Sequence, residues 1–253
     1  MPQTKPLSDE LIDWFATETG HLLLKQEQAA FERLTSQIFG FQLLQLGILD
    51  NNSPIIVNTR VQRETLIGEQ SQPGMHNYLA ADHQSLPILS DSIDAVLVPH
   101  TLDFCRDPQQ VLREVERVLV AEGKIVISGF NPVSLWGMLA KLKRNTSQVP
   151  WNGHFVSYTR LHDWLLLLGF DVEETEVFMF RPPMESSKIM QKLEFLEKIG
   201  PRLWPRLGSV YMIKAVKRVS TLTPVKPIWK RRPRLLSHVA EPTTRGVNRG
   251  KSG

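Results

Sequence analysis

His100 is the side chain in this sequence best placed to move a proton. An imidazole titrates near neutrality and can take a proton from a substrate at pH 7, and this one follows the apolar run Asp94-Ala95-Val96-Leu97-Val98-Pro99. The competing reading is a structural histidine whose ring nitrogens are spent on hydrogen bonds. Cys105, the single cysteine, is a nucleophile only as a thiolate. No base motif marks it, so it reads as packing, and one cysteine excludes an internal disulfide and any multi-cysteine metal site. His21, His76, His83 and His162 show no metal-ligand spacing, so no metal is expected. Trp136 and the run Trp151-Asn152-Gly153-His154 fall in a long connection of the kind that carries binding groups. Trp136, Trp151 and His154 suit a stacking wall for a planar substrate; aromatic packing under a long loop is the alternative. Asn131-Pro132 reads as a loop with a contact to substrate at its rim.

Such groups need a frame. The first forty residues read as two helices, with Leu23, Leu24, Phe31, Leu34 and Ile38 on one face and Gly20 and Gly40 placed as C-caps. Phe41–Leu46 (FQLLQL) reads as a first strand, Pro54–Asn58 (PIIVN) as a second and Tyr78–Ala81 as a weaker third. Asp94–Pro99 is the clearest. After it Asp107, Pro108 and Gln110 supply an N-cap, a proline at N1 and a capping-box glutamine. Val111, Leu112, Val115, Val118 and Leu119 form the apolar stripe of the helix, Ala121-Glu122-Gly123 turns the chain, and Lys124–Ser128 (KIVIS) is the next strand. Neither strand alternates with polar residues, so this βαβ unit predicts a parallel sheet covered on both faces. A helix near Thr159–Leu168 stopped by Gly169, a strand near Asp171–Phe180, a helix over Ser187–Ile199 and a last strand, Ser209–Val216, complete an α/β reading.

The segment Leu86-Pro87-Ile88 with Ser92-Ile93-Asp94, followed by a strand, a helix carrying LREVERVL, a glycine turn and a strand, resembles the class I S-adenosylmethionine-dependent methyltransferases. The branch is that of the ubiquinone- and biotin-pathway methylases. More narrowly, His100-Thr101-Leu102, Cys105, the text ISGFNP and Trp136-Gly137 look like a small bacterial subfamily. The resemblance spans roughly Phe41–Val216 and is strongest over Asp82–Gly129. It implies a Rossmann-like fold: a mostly parallel seven-stranded sheet whose last strand is antiparallel, preceded by a helical extension. It also implies S-adenosyl-L-methionine as cofactor, lying across the carboxyl ends of the strands, as the crevice rule for open sheets requires.

Carried onto this chain, the resemblance assigns Asp82 to the adenine amino group, although an aspartate there also suits an ordinary turn. Pro99 and His100 border the methionine moiety and the methyl group. Gly47 stands for the glycine-rich turn after the first strand, with one glycine in Leu46-Gly47-Ile48-Leu49-Asp50 where the family has several. Asn58 stands where the family has an acid for the ribose hydroxyls, and offers a neutral acceptor instead of a carboxylate. Thirty-five positions separate Gly47 from Asp82, too few for two ordinary helices and a strand, so one helix is shortened or missing.

Composition sets the outer limits. With 253 residues, 42% hydrophobic and 22% charged, collagen-like, mucin-like and wholly disordered chains are excluded. No apolar run approaches the roughly 20 residues of a membrane span, and Met1–Glu10 lacks a secretory pattern, so the cytoplasm is expected. The charge is uneven: Lys217–Gly253 holds ten Lys and Arg against one acid, Glu241. With four prolines and no amphipathic period, this stretch reads as a disordered tail. Three regions are expected: N-terminal helices over 1–40, a methyltransferase-like domain over 41–216, and the basic tail over 217–253. The expected activity is methyl transfer to an oxygen or nitrogen of a small molecule. A weak contact to nucleic acid or an anionic surface through the tail is an added expectation, a solvated tail without a partner its alternative. The rival reading is a non-catalytic methyltransferase-like protein that binds RNA or a protein.

Overall fold

The computed structural model describes residues 7–47, 49, 55, 60–69, 77–143, 149–183, 192–193 and 195–219. Met1–Val219 forms one compact unit, and Ser220–Gly253, a separate one, lies outside the described residues. The chain opens with two helices, α1 (Leu7–Phe15) and α2 (Glu18–Thr35), and enters the sheet at β1 (Phe39–Leu46). There follow β2 (Arg60–Gly68), β3 (Tyr78–Ala80), β4 (Ile93–Pro99), the short α3 (Thr101–Phe104), α4 (Pro108–Val118), β5 (Leu119–Phe130) and α5 (Leu135–Lys143). The last are α6 (Tyr158–Leu167), β6 (Phe170–Phe178), α7 (Phe195–Leu203) and β7 (Val210–Lys217). The seven strands make one sheet in the order β3-β2-β1-β4-β5-β7-β6. β1 to β5 are parallel to one another, and β7 runs antiparallel to both β5 and β6. This is the Rossmann-like arrangement expected, antiparallel last strand included.

The central βαβ unit forms for the reasons its residues give. The Asp107 carboxylate accepts from the amides of Gln109 and Gln110, capping α4, and Pro108 occupies the first turn where no N–H is needed. Val111, Leu112, Val115 and Val118 are wholly buried, each contributing roughly 1.5–3 kcal/mol by its burial. They pack with Val96 and Val98 on one face of the sheet; Ala95 and Leu97 face the layer of α1 and α2, with Leu23, Phe31 and Leu34. The covered two-faced sheet is therefore built from opposite sides of the same strands.

Several expectations change. The second strand is Arg60–Gly68, not Pro54–Asn58, of which only Ile55 is described, buried and donating its amide to Gln45 Oε1 at 3.0 Å. β2 escapes a hydrophobic reading because only its last three residues are buried. Gly20 and Gly40 are not C-caps. Gly20 lies inside α2, where a Cβ would stand 2.2 Å from the Trp14 carbonyl, and Gly40 lies in β1 against Asp94. Asp94 instead accepts from the amides of Phe41 and Gln42 at 2.8 and 2.9 Å. Gln110 does not close a capping box; its side-chain amide donates to the Gln84 carbonyl. The helix before the last strand is Phe195–Leu203. Lys217, 7% exposed, is the closing residue of β7, not the start of a tail: its ammonium donates to Asp91 Oδ1, the Glu116 carbonyl and the Leu119 carbonyl.

Candidate functional site

Parallel register aligns the carboxyl ends of the first three strands. Leu46 pairs with Ile67 and Gly68 with Ala80, so the residues that leave the sheet are Gly47 from β1, Glu69 from β2, and Ala81-Asp82 from β3. Backbone bonds lock this row: the Gly47 amide donates to the Ile67 carbonyl at 2.8 Å and the Ala81 amide to the Gly68 carbonyl at 2.9 Å. Gly47 has φ +85°, a left-handed conformation that glycine adopts without a steric penalty. A Cβ there would meet Thr101 Oγ1 at 2.7 Å. That hydroxyl is itself fixed, donating to the Leu46 carbonyl at 2.7 Å. The turn thus leaves bare backbone at the lip of the sheet.

Glu69 and then Asp82 continue the row from Gly47 as exposed carboxylates at the ends of β2 and β3. Asp82 accepts the Gln84 amide at 2.8 Å through Oδ1, the Asx turn its type favours. His83, buried beside it, has Nε2 3.3 Å from the Ile67 carbonyl and Nδ1 3.8 Å from Glu69 Oε1. Burial lowers its pKa, outweighing the nearby carbonyl and carboxylates. Asn58, expected at the end of β2, lies outside the described residues. Its expected position does not follow the strand end, because β2 ends ten residues later at Gly68. The acid at that end is Glu69, and the signal that would have found it is Leu66-Ile67-Gly68-Glu69, an apolar run broken by glycine and an acid.

The Leu86-Pro87 segment is fastened to α4. Glu114 Oε2 accepts the Leu86 amide at 2.9 Å, while Arg117 donates to the carbonyls of Leu86 and Ile88, each at 2.9 Å, and to Glu114. The hydrogen bond from Arg117 holds the Glu114 carboxyl below its usual value, and Glu114 raises Arg117 in return. The loop motif and the helix text LREVERVL are two halves of one contact.

His100 does not face the crevice as a base. It follows β4, immediately before α3, with φ 51° and is fully buried. Nε2 lies 2.7 Å from Glu27 Oε1 on α2, and Nδ1 lies 3.1 Å from Asp103 Oδ2 on α3. Burial alone would lower its pKa, but the two carboxylates more than offset this and hold it at about 9. The ring is an imidazolium at pH 7, a donor through both nitrogens with no lone pair to offer. The Asp103 carboxyl is raised by burial and also accepts the Phe130 amide at 2.8 Å. Phe130 and Phe15 close over the imidazole, with centroids at 4.1 and 5.8 Å.

Two of the expected substrate contacts belong to the framework. Asn131, 7% exposed, donates to the carbonyls of Arg206 and Gly208 and accepts the Val133 amide. Trp136 is fully buried, donates to the Arg181 carbonyl at 2.8 Å and stacks on Phe130. Trp151 is half-buried against Trp136, and His154 is exposed, its amide donating to the Asp103 carbonyl. Pro99 is buried opposite Ser128. Cys105 is partly buried; desolvation and nearby carboxylates push its thiol up to about 12, so it is no nucleophile. Among the described residues no group of histidines, cysteines and acids is arranged to hold a metal, and no helix is long and apolar enough to cross a membrane.

A methyltransferase-domain family matches residues 51–127. The uncharacterized protein YafS of Escherichia coli (strain K12) is 33% identical over 243 residues, covering 93% of this chain and 92% of that one. Malonyl-[acyl-carrier protein] O-methyltransferase of Methylovorus sp. (strain MP688) is 27% identical over 122 residues, 48% of this chain and 40% of that one. Among solved structures, a SAM-dependent methyltransferase of Thermotoga maritima, described as a possible histamine N-methyltransferase, superposes with a TM-score of 0.60. It shares 17% identity, covering 84% of this chain and 96% of that one, and shows the shared fold.

Proposed function

Since the chain belongs to the class I methyltransferase family, we propose that it binds S-adenosyl-L-methionine and transfers the methyl group to an oxygen or nitrogen of a small molecule. The observation that carries this reading is the row Gly47, Glu69 and Asp82, bare backbone followed by two exposed carboxylates on successive adjacent strand ends. The row fits the cofactor chemically. Gly47 permits close approach of the methionine end, Glu69 accepts from the ribose hydroxyls, and Asp82, with one oxygen left over from its turn, accepts from the adenine amine. When bound, the cofactor supplies a methyl carbon already activated by its sulfonium leaving group.

The protein's task is then positioning and exclusion of water. Phe130 and Trp136 supply a dry floor beside the end of β4. Because His100 is held as an imidazolium, the acceptor brings its own lone pair at neutral pH, as an ionised oxygen or a neutral amine does. A malonyl-[acyl-carrier protein] O-methyltransferase among the relatives accords with an oxygen acceptor. Trp151 and His154, at the open side of the aromatic cluster, are the remaining candidates for contact with the acceptor. We place the protein in the cytoplasm, with the basic stretch after Val219 as a loose contact to polyanions.

The second reading, a non-catalytic binding protein of the same fold, is favoured by the single glycine in the β1 turn and the absence of a free imidazole at the end of β4. Calorimetry with S-adenosylhomocysteine tests the cofactor site. Wild type binds, and Glu69→Ala and Asp82→Ala each weaken binding by about 1–3 kcal/mol, the loss of a charge-assisted hydrogen bond. No binding by wild type overturns the proposal. No binding by wild type together with no labelled product in a tritiated-methyl screen of fractionated lysate leaves the second reading.

A further inference from the structure

Two helices at the carboxyl end of β5 present their apolar side outward. In α5 the inner face is Trp136, Gly137 and Ala140, all buried, while Leu135, Met138 and Leu142 are 56%, 57% and 82% exposed. Their spacing of three and four residues puts them on one stripe. In α7, Glu197 and Gly200 face inward: Glu197 accepts the Phe180 amide and pairs with Arg181 at 3.3 Å, and Gly200 lies against the Phe180 ring. The outward stripe is Phe195, Ile199 and Leu203, continued by Trp204, which is 51% exposed.

The two stripes belong to one rim. The Asn131 side chain ties the start of α5 to Arg206 and Gly208 after α7, and Trp136 on α5 donates to the carbonyl of Arg181, the residue paired with Glu197 on α7. Around the apolar groups the described charge is one-sided. Lys141, Lys198, Arg202 and Arg206 are exposed cations, Lys143 lies over the Trp151 ring at 5.3 Å, and the acid among the described residues of α5 and α7, Glu197, is turned inward. An apolar stripe with an interfacial tryptophan and flanking cations is the composition of a helix that lies in the plane of an anionic bilayer.

We propose that this rim docks on the surface of an anionic lipid bilayer, with the apolar side chains of α5 and α7 in the headgroup boundary and the cations on the lipid phosphates. The inference stands on the rim alone and not on the methyltransferase reading. Docking in this way sets the crevice end of the sheet toward the membrane, because β5 and β7 deliver both helices to that end.

Vesicle co-sedimentation of the full chain tests it. Vesicles of phosphatidylglycerol mixed with phosphatidylcholine are compared with phosphatidylcholine alone, in low salt and in about 1 M salt, where the Debye length is about 3 Å and long-range attraction by the basic stretch is screened. Wild type partitions onto the anionic vesicles and retains part of that binding in high salt. Leu142→Glu/Leu203→Glu, at exposed positions, loses roughly tenfold or more of it with an unchanged melting temperature. A second pair, Leu135→Ser/Ile199→Ser, shows the same direction without added charge. Equal partitioning of wild type and both variants overturns the proposal, as does equal binding to phosphatidylcholine alone. So does a wild-type dimer in light scattering that the variants dissociate without a change in vesicle binding, since the rim would then join two copies of this chain.

Discussion

Glu27 and His100, 73 positions apart, meet at 2.7 Å with neither side chain exposed to solvent. This contact pins the N-terminal helix α2 over the carboxyl end of β4. A buried pair of this kind is weak as a net source of stability but costly to break, since removing one partner leaves the other charged and dry.

The pair makes stability depend on pH. The folded His100 pKa, about 9, lies above the ordinary 6.5, so its contribution is complete below about pH 6.5 and is lost as the pH rises through about 9. Over that window the unfolding free energy falls by about 1.4 kcal/mol per pH unit. Denaturant titrations from pH 6 to 10 measure the slope. In Glu27→Gln the slope flattens and moves to lower pH; an unchanged slope in that variant removes His100 as its source.

His100→Ala lowers the melting temperature, and weakens cofactor and acceptor binding together with turnover. A catalytic base would show a fall in turnover with binding and stability intact. Calorimetry and thermal unfolding of the variant distinguish the two outcomes.

Gly47→Ala places a Cβ at φ +85° and 2.7 Å from Thr101 Oγ1. The left-handed conformation alone costs about 1–2 kcal/mol, and the hydroxyl cannot yield without losing its bond to Leu46. The expected result is a stability loss of about 2 kcal/mol or more and weaker S-adenosylhomocysteine binding. Thr101→Ala in the same chain recovers part of the stability, and strictly additive effects would show that the two residues do not collide.

Arg117→Lys keeps the charge but cannot span the carbonyls of Leu86 and Ile88 together with Glu114. The loop from Leu86 to Ser90 then exchanges its amide hydrogens faster, and stability falls by about 1–2 kcal/mol. Protection equal to wild type at Leu86, whose amide is held by Glu114, would show that the staple does not order the loop.

Removing residues 220–253 leaves the sheet intact, because β7 ends at Lys217 and Arg218 still donates its amide to the Gly169 carbonyl. Salt-sensitive retention on a polyanion column drops with the removed cations. Equal elution of full-length and shortened chains contradicts a role for that stretch.

What the sequence discloses follows the range of the forces involved. The β4-α4-β5 unit is readable because a cap, a proline, an apolar stripe and two buried strands all act within a few residues of one another. β2 is not, since six of its nine residues remain at least partly exposed and only Leu66, Ile67 and Gly68 are buried, whereas Pro54–Asn58 has the more strand-like text. That displacement separates Asn58, which the local text favours, from Glu69, which follows the strand. His100 is legible as a residue at a strand end, but its role is set by Glu27, a partner no local pattern names. Asn131 and Trp136 lie in the expected connection; their partners, Arg206, Gly208 and Arg181, come from much later in the chain.

The place of β7 bears on how the protein is made. Every residue of this strand is buried, and it lies between β5 and β6, so that β6 joins the sheet through β7 alone. On the ribosome, β5 and β6 emerge first with edges that have no partner, and the gap between them fills only after residue 217 has left the exit tunnel. Until then the nascent chain carries an open apolar slot that invites pairing with other chains. A ribosome stalled a few codons before that point would hold a particle with five of its seven strands able to pair and β6 still adrift.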